Sequence, residues 1–355
     1  MRTAMKEKIR EMQSYGVDFW NDSCDLDELK HAVEMGATGA TSNPVIVSSI
    51  FAHKKEIWTP SIQGIIRDYP HLTEEELAWK CIEFLGVKAA SILLPIFEKT
   101  QGRKGKLSLQ TSPRYYNNWE KIFAHGQHLA SLAPNIAIKI PALPAGIKAM
   151  EKLTEAGVSV NATVSFSVSQ ALAAAEAIER GIKQRKLNGS YDESLSPYVT
   201  IMIGRVDDYI NQRILEERLC IEPGIGSWSG IAVFKKAHKI FKERSYHSQL
   251  LAAAYRHHLH WSELIGENVI QSIPYKHWNN FNNSSIKLSS ELEHEFEEQK
   301  LSSLLQCADF HKVYQTQGLS EDEFLSFGAT KNTLHQFLSG LDQLQMQVRE
   351  LMISV

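Results

Sequence analysis

At 355 residues and 43% hydrophobic, the chain can bury a sizeable core, as one large domain or two ordinary ones. Its formal net charge of -3 argues against a general binder of nucleic acid or of membrane surfaces. The four cysteines, Cys24, Cys81, Cys220 and Cys307, make no CxxC pair and no metal-spaced cluster, so they read as reduced thiols of a cytoplasmic protein. The N-terminal MRTAMKEKIREMQSYG reads as a charged amphipathic helix without an apolar signal core. No stretch approaches membrane-spanning length, and the expectation is a soluble protein without a membrane or nucleic-acid partner.

Short apolar segments alternate with longer helical patterns along the chain. Val17 to Ser23 predicts a first strand, and Leu26 to Met35 an amphipathic helix stopped by Gly36. Thr38 to Asn43 is a short strand segment before Pro44, and Pro44 to Ala52 predicts the first turns of a helix. Thr73 to Thr100 carries two helical stretches, opened by the capping signature ThrGluGluGlu at 73–76. Lys106 to Ser112 alternates as a strand. Trp119 to Leu132 is helical, and Asn135 to Pro141 is an apolar strand closed by proline. Ala145 to Glu155, Ser169 to Gln184, Asp207 to Arg218 and Ser229 to Glu243 predict helices. Strands are expected at Ser159 to Phe166, Tyr198 to Gly204, Asn268 to Ile273 and, with helix as the alternative, Gln249 to Tyr255. Eight strand candidates interleaved with helices are the signature of an α/β fold, the (β/α)8 TIM barrel. The boundaries expected are 1–289 for the barrel and 290–355 for a helical C-terminal extension packed on it, with ELEHEFEEQKLSSLLQ and two helices from Ser320 to Val355. Asn279 to Asn283 reads as a loop.

Lys139 sits inside the run Asn-Ile-Ala-Ile-Lys-Ile-Pro. A lysine there must reach water, find a partner or lose its charge, because burying an unpaired ammonium is costly. Desolvation favours the neutral amine, which is a nucleophile toward carbonyl groups. A structural lysine paired with a carboxylate is the alternative. Barrel enzymes carry their chemistry at the carboxyl ends of the strands. In this chain those positions are Asp22, Asn43, Gln110, Lys139, Asn161 with Thr163, Arg205 and Arg256. A lysine can form an imine, a carboxylate can take a hydroxyl proton, and two arginines can clamp a phosphate.

These residues fall in motifs that resemble the transaldolases, Schiff-base aldolases of the pentose phosphate pathway. Asp22-Ser-Cys-Asp25 matches the family's first-strand D-[TS]-x-D, and Thr41-Ser-Asn43-Pro44 its T-[TS]-N-P. The block from Ile138 to Ala177 matches the lysine strand, the following helix and the N-x-T strand colinearly. Gly204-Arg205, Tyr255-Arg256 and the lysine-rich helix Gly230 to Phe241 match as well, so the resemblance runs from about Val17 to Ile273. It implies that Lys139 is the imine-forming nucleophile and Asp22 the acid/base for the C3–C4 bond. Asn43 and Asn161 would bind hydroxyls, Thr41 would add a hydroxyl beside Asn43, Thr163 would hold a water, and Arg205 and Arg256 would bind phosphate. Thr200 stands for a sixth-strand serine. The resemblance implies sugar phosphates as ligands and neither cofactor nor metal, and a homodimer is the expectation for assembly.

Three positions depart from the pattern. Gln110 stands where most transaldolases have a proton-relaying glutamate; an amide positions water but exchanges no proton at neutral pH. Gln is what fructose-6-phosphate aldolases use there, usually with a sixth-strand tyrosine, but that place is Met202. Ala254 replaces a serine two residues before the second arginine. The expectation is therefore a transferase of dihydroxyacetone units, with a dihydroxyacetone-releasing lyase or a non-catalytic sugar-phosphate-binding barrel as alternatives. Asp22 could instead cap the helix at Leu26, although Asp25 is the better cap. Asn43 before proline could be turn chemistry, and Arg205 an ion-paired arginine. Arg256-His-His-Leu-His260 invites a metal reading that no carboxylate spacing supports. Gly224-Ile-Gly226 is a loop breaker rather than a nucleotide fingerprint. Trp20 is expected to shape the pocket beside the first strand.

Overall fold

Eight short strands, all parallel and all paired with their sequence neighbours, close on themselves: β1 Asp18–Asn21, β2 Gly39–Thr41, β3 Lys106–Gln110, β4 Ile136–Pro141, β5 Val160–Thr163, β6 Tyr198–Ile201, β7 Gln249–Ala252 and β8 Val269–Ile273. This is the expected (β/α)8 barrel, seen in a computed structural model that describes residues 7–354. Part of the expected N-terminal helix lies outside the described residues; the described part is Lys8–Gln13. No described helix is long and apolar enough to cross a membrane.

Alternation along each strand sorts the side chains. On β4, Ile138 and Ile140 face outward into the main core with the surrounding helices, whereas Ala137 joins Trp20, Tyr198, Leu251, Ala253 and Ile270 inside the barrel. Trp20 and Tyr198 meet edge to face at 4.9 Å and fill this floor. Trp20 thus lies inside the barrel, and its register partner on β2 can only be Gly39, because a Cβ there would collide with the indole.

Several boundaries differ from the sequence reading. The Thr73–Thr100 region is one helix, Glu74–Lys99, with its capping box at Thr73 formed as expected. The unanticipated helix Lys55–Asp68 continues through Pro60, which hides it from a periodicity reading. β6 stops at Ile201, and a helix Ile203–Glu216 takes over, so Arg205 lies in a helical first turn and not at a strand end. A side chain at Gly204 would collide with the carbonyl oxygen of Ala254, so glycine lets these two loops touch. Gln249–Ala252 resolves as a strand; Ala254 then turns the chain with φ 66, and Arg256 follows in the loop. The Asn-rich segment expected as a loop belongs to the helix Tyr275–Asn282, held by buried Trp278 and Phe281. Residues 285–297 are irregular rather than helical, with helix resuming at Glu298–Leu304. Two helices follow Ser320 as expected, Glu321–Phe324 and the 26-residue Gly328–Ile353. That last helix packs on Pro44–His53, Lys55–Asp68 and Glu74–Lys99.

Candidate active site

Lys139 points inward near the carboxyl end of β4, with Gln110 of β3 and Asn161 of β5 as its register neighbours. It is 3% exposed, and its amine has no hydrogen-bond partner among the described residues. Burial lowers its pKa; the carboxylate of Asp22 opposes that shift and the guanidinium of Arg205 adds to it. The neutral amine is therefore more accessible than in an ordinary lysine.

The inward polar residues form a ring around it. Thr41 donates to Asp22 Oδ1 at 2.5 Å and lies 3.3 Å from Ser272 Oγ. Asp22 is not a helix cap: Asp25 accepts from Asp27 and Glu28 and so caps Leu26–Glu34, which leaves Asp22 for other work. Asn161 is fixed at both ends, donating to Ser108 Oγ at 2.9 Å and accepting from Thr200 Oγ1 at 2.7 Å. Asn43 caps Pro44–His53 through Oδ1, 3.0 Å from Ile46 N, and this cap engages only its oxygen. Thr163 Oγ1 lies 3.8 Å from Met202 Sδ.

Gln110 is the exception in this ring. It is 1% exposed, yet neither its Oε1 nor its Nε2 has a hydrogen-bond partner among the described residues. A buried amide with both ends open costs about 1–3 kcal/mol per unsatisfied group unless a water or ligand meets it. It is the register neighbour of Lys139, so a molecule bound beside that amine is the natural source of the partner.

The two arginines stand at the rim. Arg205 donates to Thr333 Oγ1 at 3.2 Å and to Gln336 Oε1, both on the C-terminal helix, and its guanidinium lies 5.8 Å from the Phe337 ring centroid. Burial and then the charge of Arg256 lower its pKa, as expected of two cations in one place. Arg256 is held by Asp208 through Nε and Nη2, the latter at 2.7 Å, and by the Ala254 and Tyr255 carbonyls. The ion-paired arginine that the sequence allowed at Arg205 is thus found at Arg256.

Residues 19–336 match the family model described as Transaldolase/Fructose-6-phosphate aldolase. The chain belongs to that family. Among its curated relatives, a protein named Transaldolase from Thiobacillus denitrificans is 26% identical over 250 residues, covering 68% of this chain and 66% of the relative. A Transaldolase from Neisseria gonorrhoeae is 29% identical over 211 residues, 57% and 59% of the two chains. One from Renibacterium salmoninarum is 25% identical over 306 residues, 77% and 79%. The chain spans between 58% and 66% of the length of the first three relatives it matches.

Two inward serines of this transaldolase-family barrel escaped the sequence reading. Ser108 orients Asn161, and Ser272 faces Thr41; the alternation of KLSLQ already puts Ser108 on the face of Gln110. The structure also supplies the carboxylate that the histidine segment lacked in sequence. Asp207 accepts from His257 and His260, and the three groups lie within 4.8 Å of one another.

Proposed function

We propose that this chain is a Schiff-base transaldolase that moves a dihydroxyacetone unit from a ketose phosphate, sedoheptulose 7-phosphate or fructose 6-phosphate, to an aldose phosphate. The observation that carries the reading is Lys139: a buried amine without a hydrogen-bond partner among the described residues, facing a polar ring with the carboxylate of Asp22 among the charges acting on it. The neutral amine attacks the ketose carbonyl, and loss of water leaves a cationic imine that can accept an electron pair. Asp22 takes the proton of the hydroxyl on the far side of the C3–C4 bond as that bond breaks. The aldose phosphate leaves, and the three-carbon fragment stays on Lys139 as an enamine. Addition to a second aldose phosphate reverses these steps, and hydrolysis of the new imine frees the product and the amine.

The remaining groups divide the substrate between them. Asn161, preset by Ser108 and Thr200, offers little rotational freedom, which suits orientation of hydroxyls beside the imine. Asn43 and Thr41 supply further hydroxyl contacts, Gln110 and Thr163 hold water, and Arg205 with Arg256 receives the phosphate. This assignment has the enzyme acting in the cytoplasm within the pentose phosphate pathway.

Gln110 favours a second reading, a lyase that releases dihydroxyacetone to water. An amide beside Lys139 can place a hydrolytic water without holding a proton of its own. Products formed from fructose 6-phosphate with and without erythrose 4-phosphate separate the two. Transfer requires sedoheptulose 7-phosphate to appear only with the acceptor; dihydroxyacetone released at the same rate in both reactions establishes the lyase.

A further inference from the structure

Asp207 is 3% exposed and is the meeting point of three segments. Its Oδ1 accepts from the Gly230 N–H at 2.7 Å, at the start of the helix Ser229–Arg244. Its Oδ2 lies 2.7 Å from His260 Nε2 and 3.1 Å from His257 Nε2, both in the segment that follows β7. Asp207 itself sits two residues beyond Arg205. Burial pushes its pKa up, but the two imidazoles and the Gly230 amide outweigh burial and hold it below the usual carboxylate range. Burial lowers the pKa of His260 against the opposing pull of Asp207, which favours the neutral ring.

The proton on His260 can be placed from its second contact. The backbone N–H of Arg256 points at His260 Nδ1 at 3.1 Å, so Nδ1 must present a lone pair. The single ring proton is therefore on Nε2 and is donated to Asp207. This argues against a metal at Asp207, His257 and His260, despite their proximity. Coordination through His260 Nε2 would move the proton to Nδ1 and set it against the Arg256 N–H.

We propose that Asp207, acting through His260, is the positioning residue for the two arginines. The link runs from Arg205 along its own helical turn to Asp207, through His260 to the main chain of Arg256. The proposal rests on the reading of Arg205 and Arg256 as the phosphate site. Two guanidinium groups close enough for Arg256 to lower the pKa of Arg205 repel each other before an anion arrives. A buried carboxylate tying their backbones together fixes their separation in advance, so the anion does not bear the cost of ordering the loops. Asp208 restrains the Arg256 side chain while Asp207 restrains its main chain.

Asp207→Asn preserves shape but not hydrogen bonding. In one orientation its NH2 faces the two imidazole donors, and in the other it faces the Gly230 N–H. His260 cannot relieve the first conflict by switching tautomer, because Arg256 holds Nδ1. His260→Asn is the second variant: its carbonyl can still face the Arg256 N–H, but the link to Asp207 is lost. The probes are inorganic phosphate, titrated by calorimetry, and the KM for fructose 6-phosphate, with Arg256→Ala setting the full loss. Both variants should weaken phosphate binding and raise this KM tenfold or more. Borohydride trapping of unphosphorylated dihydroxyacetone on Lys139 should proceed at the wild-type rate.

Unchanged phosphate affinity in either folded variant overturns the proposal, as does equal weakening of dihydroxyacetone and fructose 6-phosphate. Stoichiometric zinc retained by the wild type after dialysis and lost in His257→Ala overturns the proton assignment on which it stands. If Asp207→Asn does not fold, His260→Asn decides. A wild type that binds phosphate, in a manner both variants weaken, but forms no Lys139 adduct removes the proposed reaction and leaves the positioning role intact.

Discussion

Lys106→Met tests the premise that this barrel interior favours neutral amines. Lys106 opens β3 at the opposite end of the barrel from the candidate site and is 4% exposed; its amine donates to Ser159 Oγ at 2.8 Å and to the Ser194 carbonyl at 3.1 Å. Burial lowers its pKa from 10.5 to about 8, against a weak opposing pull from Asp192. The shift corresponds to a penalty on the charged form on the order of 3 kcal/mol. Below pH 8 both the folded and the unfolded chain carry the proton, and the folded state bears the whole penalty. Between about 8 and 10.5 the unfolded chain binds more protons than the folded one, so stability rises with pH. Methionine removes this dependence and forgoes two hydrogen bonds, each contributing about 1 kcal/mol net.

Lys106→Met should therefore be more stable than the wild type by about 1 kcal/mol at pH 7, and this advantage should vanish and then reverse as the pH approaches 10. Urea denaturation of both proteins from pH 7 to 10 gives the difference. Comparing the two cancels the buried thiols of Cys24 and Cys81, which burial raises to about 12 and which titrate with the opposite sign. A stability difference independent of pH would refute the desolvation argument, and would weaken the same argument for Lys139.

Gln110→Glu should raise the rate of imine formation by adding a group that can exchange protons, read as single-turnover trapping of fructose 6-phosphate. A slower rate would show that the amide belongs to a different relay. The pH dependence of trapping with dihydroxyacetone should move in opposite directions in two charge variants. Asp22 raises the Lys139 pKa, so Asp22→Asn should shift the acid limb to lower pH; Arg205 lowers it, so Arg205→Gln should shift the limb to higher pH. Asp22→Asn should also slow C–C cleavage by about 10²–10⁴-fold. Superimposable acid limbs would contradict the electrostatic account, and unimpaired cleavage would contradict the role of Asp22.

The strand positions were legible because a parallel barrel buries both faces of each strand and writes continuous apolar runs into the chain. The spacing of Ser108 and Gln110, or of Asn161 and Thr163, then carries the inward face. What sequence concealed depends on contacts made at a distance. YVTIMIG reads as one strand, yet the chain turns into a helix at Ile203, where Gly204 meets Ala254 of the neighbouring loop after β7. The Asn279–Asn283 run looks like a loop until Trp278 and Phe281 are seen anchoring a helix. Pro60 interrupts the pattern of a helix that nonetheless forms. The carboxylate partner of His257 and His260 is some fifty residues away in the chain, so no local spacing could disclose it. Nor could spacing reveal that the C-terminal helix supplies Thr333 and Gln336 to Arg205.

Borohydride reduction in the presence of fructose 6-phosphate, followed by mass spectrometry of the peptides, tests the central claim most directly. A three-carbon or hexose phosphate adduct should appear on Lys139 alone, and none on Lys106, with the signal abolished in Lys139→Ala. An unmodified Lys139, or an adduct that survives in Lys139→Ala, would contradict the account.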